Sequence, residues 1–214
     1  AIVDISLDGF DDIYVSVGGP GDQSIYPNKL YINQQDNTFK EQAEEYGLAD
    51  SGESIQAAFF DFDLDGDLDM YLLTGGGFER SPLVARPIAM DGSARNTDRL
   101  YLNEMNPNLG HPVFKNISNE AGITIEGFGL GVAILDANQD NWPDIYVSND
   151  YISRDVLYIN QQNGTFEDQS LNYLGHTSHF SMGNDVADFN NDGLHDLITV
   201  DMLPEDPVRR KLMS

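Results

Sequence analysis

An all-β chain of repeated four-stranded antiparallel units, the layout of β-propeller blades, is predicted by three observations. An acidic nine-residue loop occurs four times, each copy running into a β-branched or apolar segment. A second segment, a strand with a tight turn, recurs between the loops. The units so defined are roughly 50 to 75 residues long and hold four short strands each, the size and strand number of a blade.

The clearest loop is Asp61-Phe62-Asp63-Leu64-Asp65-Gly66-Asp67-Leu68-Asp69, followed by Met70-Tyr71-Leu72-Leu73. Carboxylates fall at its first, third, fifth and ninth positions. Groups this close repel one another unless a hard cation lies between them, and calcium takes about six to eight oxygens in a flexible shell. Gly66, at the sixth position, permits the sharp turn because it lacks a Cβ. The main-chain carbonyl of Asp67, at the seventh, completes the expected ligand set. In the first copy Asp4, Ser6, Asp8 and Asp12 stand at the side-chain positions and Phe10 at the carbonyl position. The third copy has Asp136, Asn138, Asp140 and Asp144 with Trp142. The fourth has Asp188, Asn190, Asp192 and Asp196 with Leu194. An EF-hand would need a bidentate glutamate at the twelfth position between two helices. Val15, Leu72, Val147 and Thr199 stand there, and strand-like residues follow. An acidic run is ordinarily a solvated face; the fixed offsets in four copies argue for ligation.

Taken in order, each unit reads as short strand, acidic loop, strand, variable loop, strand, tight turn, strand. Tyr31-Ile32-Asn33-Gln34-Gln35-Asp36-Asn37-Thr38-Phe39 and Tyr158-Ile159-Asn160-Gln161-Gln162-Asn163-Gly164-Thr165-Phe166 agree at seven of nine positions. Asp36-Asn37 and Asn163-Gly164 are read as hairpin turns, since these residues tolerate positive φ. Arg99 to Asn103 is the same strand with a longer turn before Val113-Phe114. Tyr46-Gly47-Leu48, Ala121-Gly122-Ile123 and Tyr173-Leu174-Gly175 close the units. Little helix is expected beyond one turn over Glu41 to Tyr46. Units start near 1, 52, 127 and 179, so residues 1–214 form a single propeller segment of about three complete units and part of a fourth. Blades bury their faces against neighbours. The segment is therefore expected to be a partial ring, part of a seven-bladed propeller whose remaining blades belong to the same protein. Beginning at Ala1 within a strand, it is expected to be a mature or trimmed piece of something longer.

Composition narrows the function classes. The formal net charge is -25 over 214 residues, which argues against nucleic acid and anionic membrane as partners. Four divalent ions would offset only about a third of that charge. The absence of cysteine excludes a disulfide framework and thiol catalysis. No stretch approaches the roughly 20 apolar residues of a membrane span. Between Thr74 and Asp98 lies an insertion with Gly75-Gly76-Gly77 and Arg80, Arg86 and Arg95, with Arg99 just beyond. Long loops on rigid scaffolds often carry function; equally, these arginines can pair with nearby acidic loops.

The acidic loops resemble the FG-GAP, or VCBS-type, repeats of calcium-binding propellers, including those of integrin α-subunit heads. The stretches Phe180 to Gly193 and Asp201-Met202-Leu203-Pro204-Glu205-Asp206 are similar to bacterial proteins related to cartilage acidic protein, which carry an ASPIC/UnbV segment. Three to four repeats are covered, with departures at Ser6 and at Asn141, which replaces the loop glycine. The resemblance implies three to four calcium ions, in loops joining the first two strands of each blade, and no catalytic residues.

Acid–base work by His176 or His179 with Asp185 is the enzymatic alternative at residue level. No nucleophile elbow, zinc-binding helix or phosphate loop accompanies them. Trp142 is expected to pack over its metal site. Tyr146, Tyr151 and Tyr158 are read as part core, or as an exposed Tyr/Asn surface for glycan or protein contacts. The expected function is a non-enzymatic, calcium-stabilised recognition or scaffold module, extracellular or on the cell surface, with a protein or glycan partner. An exported bacterial protein associated with the outer membrane fits this expectation. A calcium-dependent polysaccharide lyase is the alternative, and the Arg80 to Arg99 segment is its candidate contribution to a cleft.

Overall fold

The computed structural model describes residues 1–18, 26–75, 87–150 and 153–202. Unit one is a sheet of β1 (Ile2–Val3), β2 (Asp12–Val15), β3 (Lys29–Asn33) and β4 (Phe39–Glu41), paired in chain order. Unit two repeats it with β5 (Ser54–Phe60), β6 (Asp69–Thr74), β7 (Arg99–Asn106) and β8 (His111–Asn116). Unit three consists of β9 (Gly129–Leu135), β10 (Asp144–Asn149), β11 (Val156–Asn160) and β12 (Phe166–Asp168). Unit four shows β13 (Ser181–Ala187) paired with β14 (Asp196–Asp201). Every pairing is antiparallel. The fold is all-β, built of four-stranded antiparallel blades. The first strands of successive units approach one another, β5 against β9 and β9 against β13.

Two-residue periodicity explains how the units join. A strand with both faces covered has no polar side, and all six residues of β6 and of β10 are buried. Met70 and Leu72 of β6 face unit one, where they meet Ile5, Tyr14, Leu30, Leu48 and their neighbours. The alternate residues Tyr71 and Leu73 face unit three and pack with Val132, Ile145, Val147 and Tyr158. Tyr146 and Leu157 of unit three meet Val186 and Leu197 of unit four. The core is thus a series of layers between blades, not the interior of any one blade.

The closing segments bind unit to unit. A single turn forms over Gln42 to Tyr46, where the Tyr46 N–H donates to the Gln42 carbonyl at 3.1 Å. In unit three the same place carries a short helix, α1 (Ser170–Leu174), ending at Gly175 with φ of 70°. The Tyr46 carbonyl accepts from Phe114 of unit two, and the Ala121 carbonyl from Phe166 of unit three, both at 2.8 Å. Gly47 and Gly122 follow, at φ of 75° and 82°. A Cβ on them would meet the carbonyl oxygens of Phe114 and Phe166 at 2.5 and 2.7 Å. Positive φ and a neighbour's backbone both demand glycine there.

The hairpin turns differ from expectation in one detail. Positive φ falls at Asn37 and Gly164, but its other occupants are Gln35 and Gln162 (61° and 59°). Asp36 and Asn163 instead accept from the N–H and hydroxyl of Thr38 and Thr165. Tyr146 and Tyr158, each 2% exposed, belong to the core and not to an exposed tyrosine surface. Tyr151 lies outside the described residues.

Candidate metal centres

All four acidic loops adopt one hydrogen-bonding scheme. The first-position carboxylate accepts from the N–H groups of the fifth and sixth residues: Asp4 from Asp8 and Gly9, Asp61 from Asp65 and Gly66. Asp136 accepts likewise from Asp140 and Asn141, and Asp188 from Asp192 and Gly193. The fifth-position carboxylate accepts from the seventh N–H, as in Phe10 to Asp8, Asp67 to Asp65, Trp142 to Asp140 and Leu194 to Asp192. The sixth residue has positive φ in every copy: Gly9 90°, Gly66 100°, Asn141 68° and Gly193 87°. Asn141 reaches the same region as the glycines, so the substitution does not change the loop. The fourth residue is also left-handed, at Leu7, Leu64, Gln139 and Asn191, with φ of 58° to 62°. Asx-type bonds hold these non-glycine residues in place.

In unit two the carboxylates of Asp61, Asp63 and Asp65 converge, with one oxygen of each within 4.8 Å of the others. One oxygen of Asp63 and one of Asp67 are buried with no hydrogen-bond partner. Burial, then the neighbouring Asp65, Asp63 and Asp61, push the Asp67 carboxyl up to about 6. Burial, followed by Asp65, also raises Asp63. Crowded, unpartnered carboxylate oxygens are what a hard cation would relieve. The donors are all oxygen, which suits calcium and not a soft metal.

The ninth-position carboxylates behave differently. Asp69 accepts from the N–H of Phe62 at 3.2 Å and from that of Asn103 in β7 at 2.8 Å. Asp12 does the same with Ile5, Ser6 and Asn33, and Asp144 with Ala137 and Asn160. Asp196 accepts from Phe189. Asp12, Asp69 and Asp144 thus pin the acidic loop to the third strand, whatever they add to a cation. In Asp69 and Asp144 each oxygen accepts one such bond and keeps a second lone-pair direction for that purpose.

Three buried tyrosines repeat in the next layer. Tyr71 and Tyr146 donate from their hydroxyls to Asp98 and Asp155, at 2.7 and 2.6 Å. The same carboxylates accept from the N–H of Thr74 and Asn149. In unit one Asn28 takes this place, accepting from Val17 and donating to the Tyr14 hydroxyl. The sequence does not betray this latch, because its two halves lie nine to 27 residues apart across variable loops.

Of the insertion, Arg80 and Arg86 lie outside the described residues. Arg99 turns inward, donating to the carbonyls of Thr97, Asp98 and Arg95. His179 stacks edge-on to Phe180. Its main-chain N–H donates to Asp201, which also accepts from Ser178 and Phe180. An open groove of about 420 Å³ beside the third loop is lined by Asp140, Gln162, Glu167, Gln169 and Tyr173. Tyr173 is 50% exposed. Its counterpart Tyr46 stacks on His111 of the next unit at 4.3 Å.

No described helix is long and apolar enough to cross a membrane. No curated protein matches the chain. A solved structure of an Agrocybe aegerita lectin, described as recognising non-reducing terminal N-acetylglucosamine, is similar at 15% identity and a TM-score of 0.46. That likeness covers 93% of this chain, which spans less than half (46%) of the lectin. The FG-GAP-like repeat model matches residues 4–72 and 136–199. Each matched stretch opens on an acidic loop and closes just beyond the next. Together they make up more than half of the sequence, and the chain belongs to the FG-GAP-like repeat family.

Proposed function

We propose that this chain is a calcium-binding segment of a larger, seven-bladed propeller that serves outside the cell as a non-enzymatic recognition or scaffold module. The observation that supports it best is the loop of unit two, where three carboxylates converge and buried oxygens lack partners. Calcium would be held by Asp61, Asp63, Asp65 and the Asp67 carbonyl, with Asp69 beneath. The equivalent residues of the other loops would hold two or three further ions. Loops with mid-range affinity fill reliably where calcium is near millimolar and would stay largely empty at cytosolic levels, which favours an exported location. The partner class is a protein or a glycan.

Calcium near 1 mM acting on a site of about 10 µM affinity stabilises the fold by roughly 2.7 kcal/mol. Thermal melting with calcium and with chelator tests this reading. Chelator should lower the melting temperature of the native chain. Asp65→Ala should remove more of the calcium-dependent gain than Ser6→Ala, since Asp65 is a converging carboxylate and Ser6 a neutral substitute. An unchanged melting temperature in chelator would refute calcium as a structural ligand.

A further inference from the structure

The recurring Tyr-Ile-Asn-Gln-Gln segment does more than form a hairpin. In unit one the Asp12 carboxylate accepts from Asn33 N–H, and the Asn33 side-chain oxygen accepts from Gln35 N–H. The Gln35 amide then donates to the fifth-position carboxylate, Asp8, at 3.0 Å. Unit three repeats every link. Asp144 accepts from Asn160, Asn160 accepts from Gln162, and Gln162 Nε2 donates to Asp140 at 2.9 Å. The circuit leaves the acidic loop at its ninth residue and returns to it at its fifth.

The two glutamines hold φ of 61° and 59°. That region is unfavourable for a side chain other than Gly, Asn or Asp. An Asx bond to Asn33 or Asn160 holds each glutamine there, and its long amide then reaches back to the acidic loop. Unit two supplies the contrast. Asn103 still donates to Asp69 and to the Leu68 carbonyl, but Glu104 and Met105 follow it in the longer β7. The Asn103 side-chain oxygen, which would accept the missing N–H, is buried without a partner. The loop of unit two carries five aspartates instead of an amide brace.

We infer that Gln35 and Gln162 are positioning residues for the cation sites of units one and three. Each holds one oxygen of the fifth-position carboxylate, an oxygen that Asn138 also reaches in unit three, so that the other oxygen, which accepts from the seventh-position N–H, is turned to the ion. This rests on the calcium reading above. Units one and three thus reach a fixed geometry with three carboxylates, while unit two relies on charge. Partners that orient a metal ligand typically change affinity by about 10–100-fold when removed; an exposed amide belongs at the low end.

Trp142, the single tryptophan of the chain, sits at the seventh position of the third loop. Terbium luminescence sensitised by tryptophan therefore reports that site alone, and calcium competition gives its affinity. Gln162→Met should weaken calcium at this site roughly tenfold with the melting temperature in chelator unchanged. Gln161→Met is the control, because the Gln161 amide donates to its own strand at Ile159. Equal affinities for native chain and Gln162→Met would overturn the positioning role while leaving calcium binding intact. Absence of sensitised emission from the native chain would overturn the cation reading and the brace with it.

Discussion

Asp98 shows how one buried carboxylate can serve structure and report on pH. It is 6% exposed and fixed by Tyr71 and Thr74. Burial pushes its carboxyl up to about 6, against the opposing hydrogen bonds from Thr74 and Tyr71. A folded-state value above the ordinary carboxyl value means the folded chain holds the proton more tightly. The associated stability is present at low pH and is lost as pH rises from about 4 through about 6. Asn28 fills the same position in unit one, so an amide fits the latch. Asp98→Asn should therefore fold, and its melting temperature relative to the native chain should rise between pH 4 and pH 7. Parallel melting curves across that range would mean that Asp98 does not titrate there.

The closing turn, a few residues long, is the element that couples one blade to the next. Gly122 illustrates its demands, with φ of 82° and the Phe166 carbonyl 2.7 Å from any added Cβ. Gly164, in the hairpin turn of unit three, has φ of 83° but open space around it. Gly164→Ala should cost about 1 kcal/mol from backbone conformation alone. Gly122→Ala adds a clash with a hydrogen-bonded neighbour and should cost roughly 2–4 kcal/mol. Chemical denaturation in saturating calcium separates the two; equal losses would show that the inter-blade contact adjusts freely.

At the scale of the molecule, stability resides in the layers between units. Leu73 is fully buried between units two and three, whereas Ile198 of β14 is 50% exposed, next to Leu197, which packs against unit three. Leu73→Ala should cost about 2–5 kcal/mol, and Ile198→Ala well under about 1 kcal/mol. Comparable losses from both would mean that the face of β14 is covered in solution. Tyr173 stands exposed where Tyr46 meets the aromatic ring of a following blade.

Much of this was legible in the chain itself. The nine-residue loop repeats as a local pattern, and its turn geometry depends on nearby residues, so Asp61 to Asp69 could be placed between two strands by inspection. The strands after the loops followed, since short apolar runs such as Met70 to Leu73 bounded by loop residues read as strands. Contacts between segments distant in sequence were not legible. Tyr71 and Asp98, Asn103 and Leu68, and Gln162 and Asp140 come together only once the strands pair. Single residues carry no sign of such partners, because pairing register and the separation of blades decide them. The sequence by itself therefore determined the strands, the acidic loops and their repetition. Only the tertiary structure decided which carboxylates converge, which bind main-chain N–H groups and which glutamines reach them, because those choices depend on distances that no local pattern encodes.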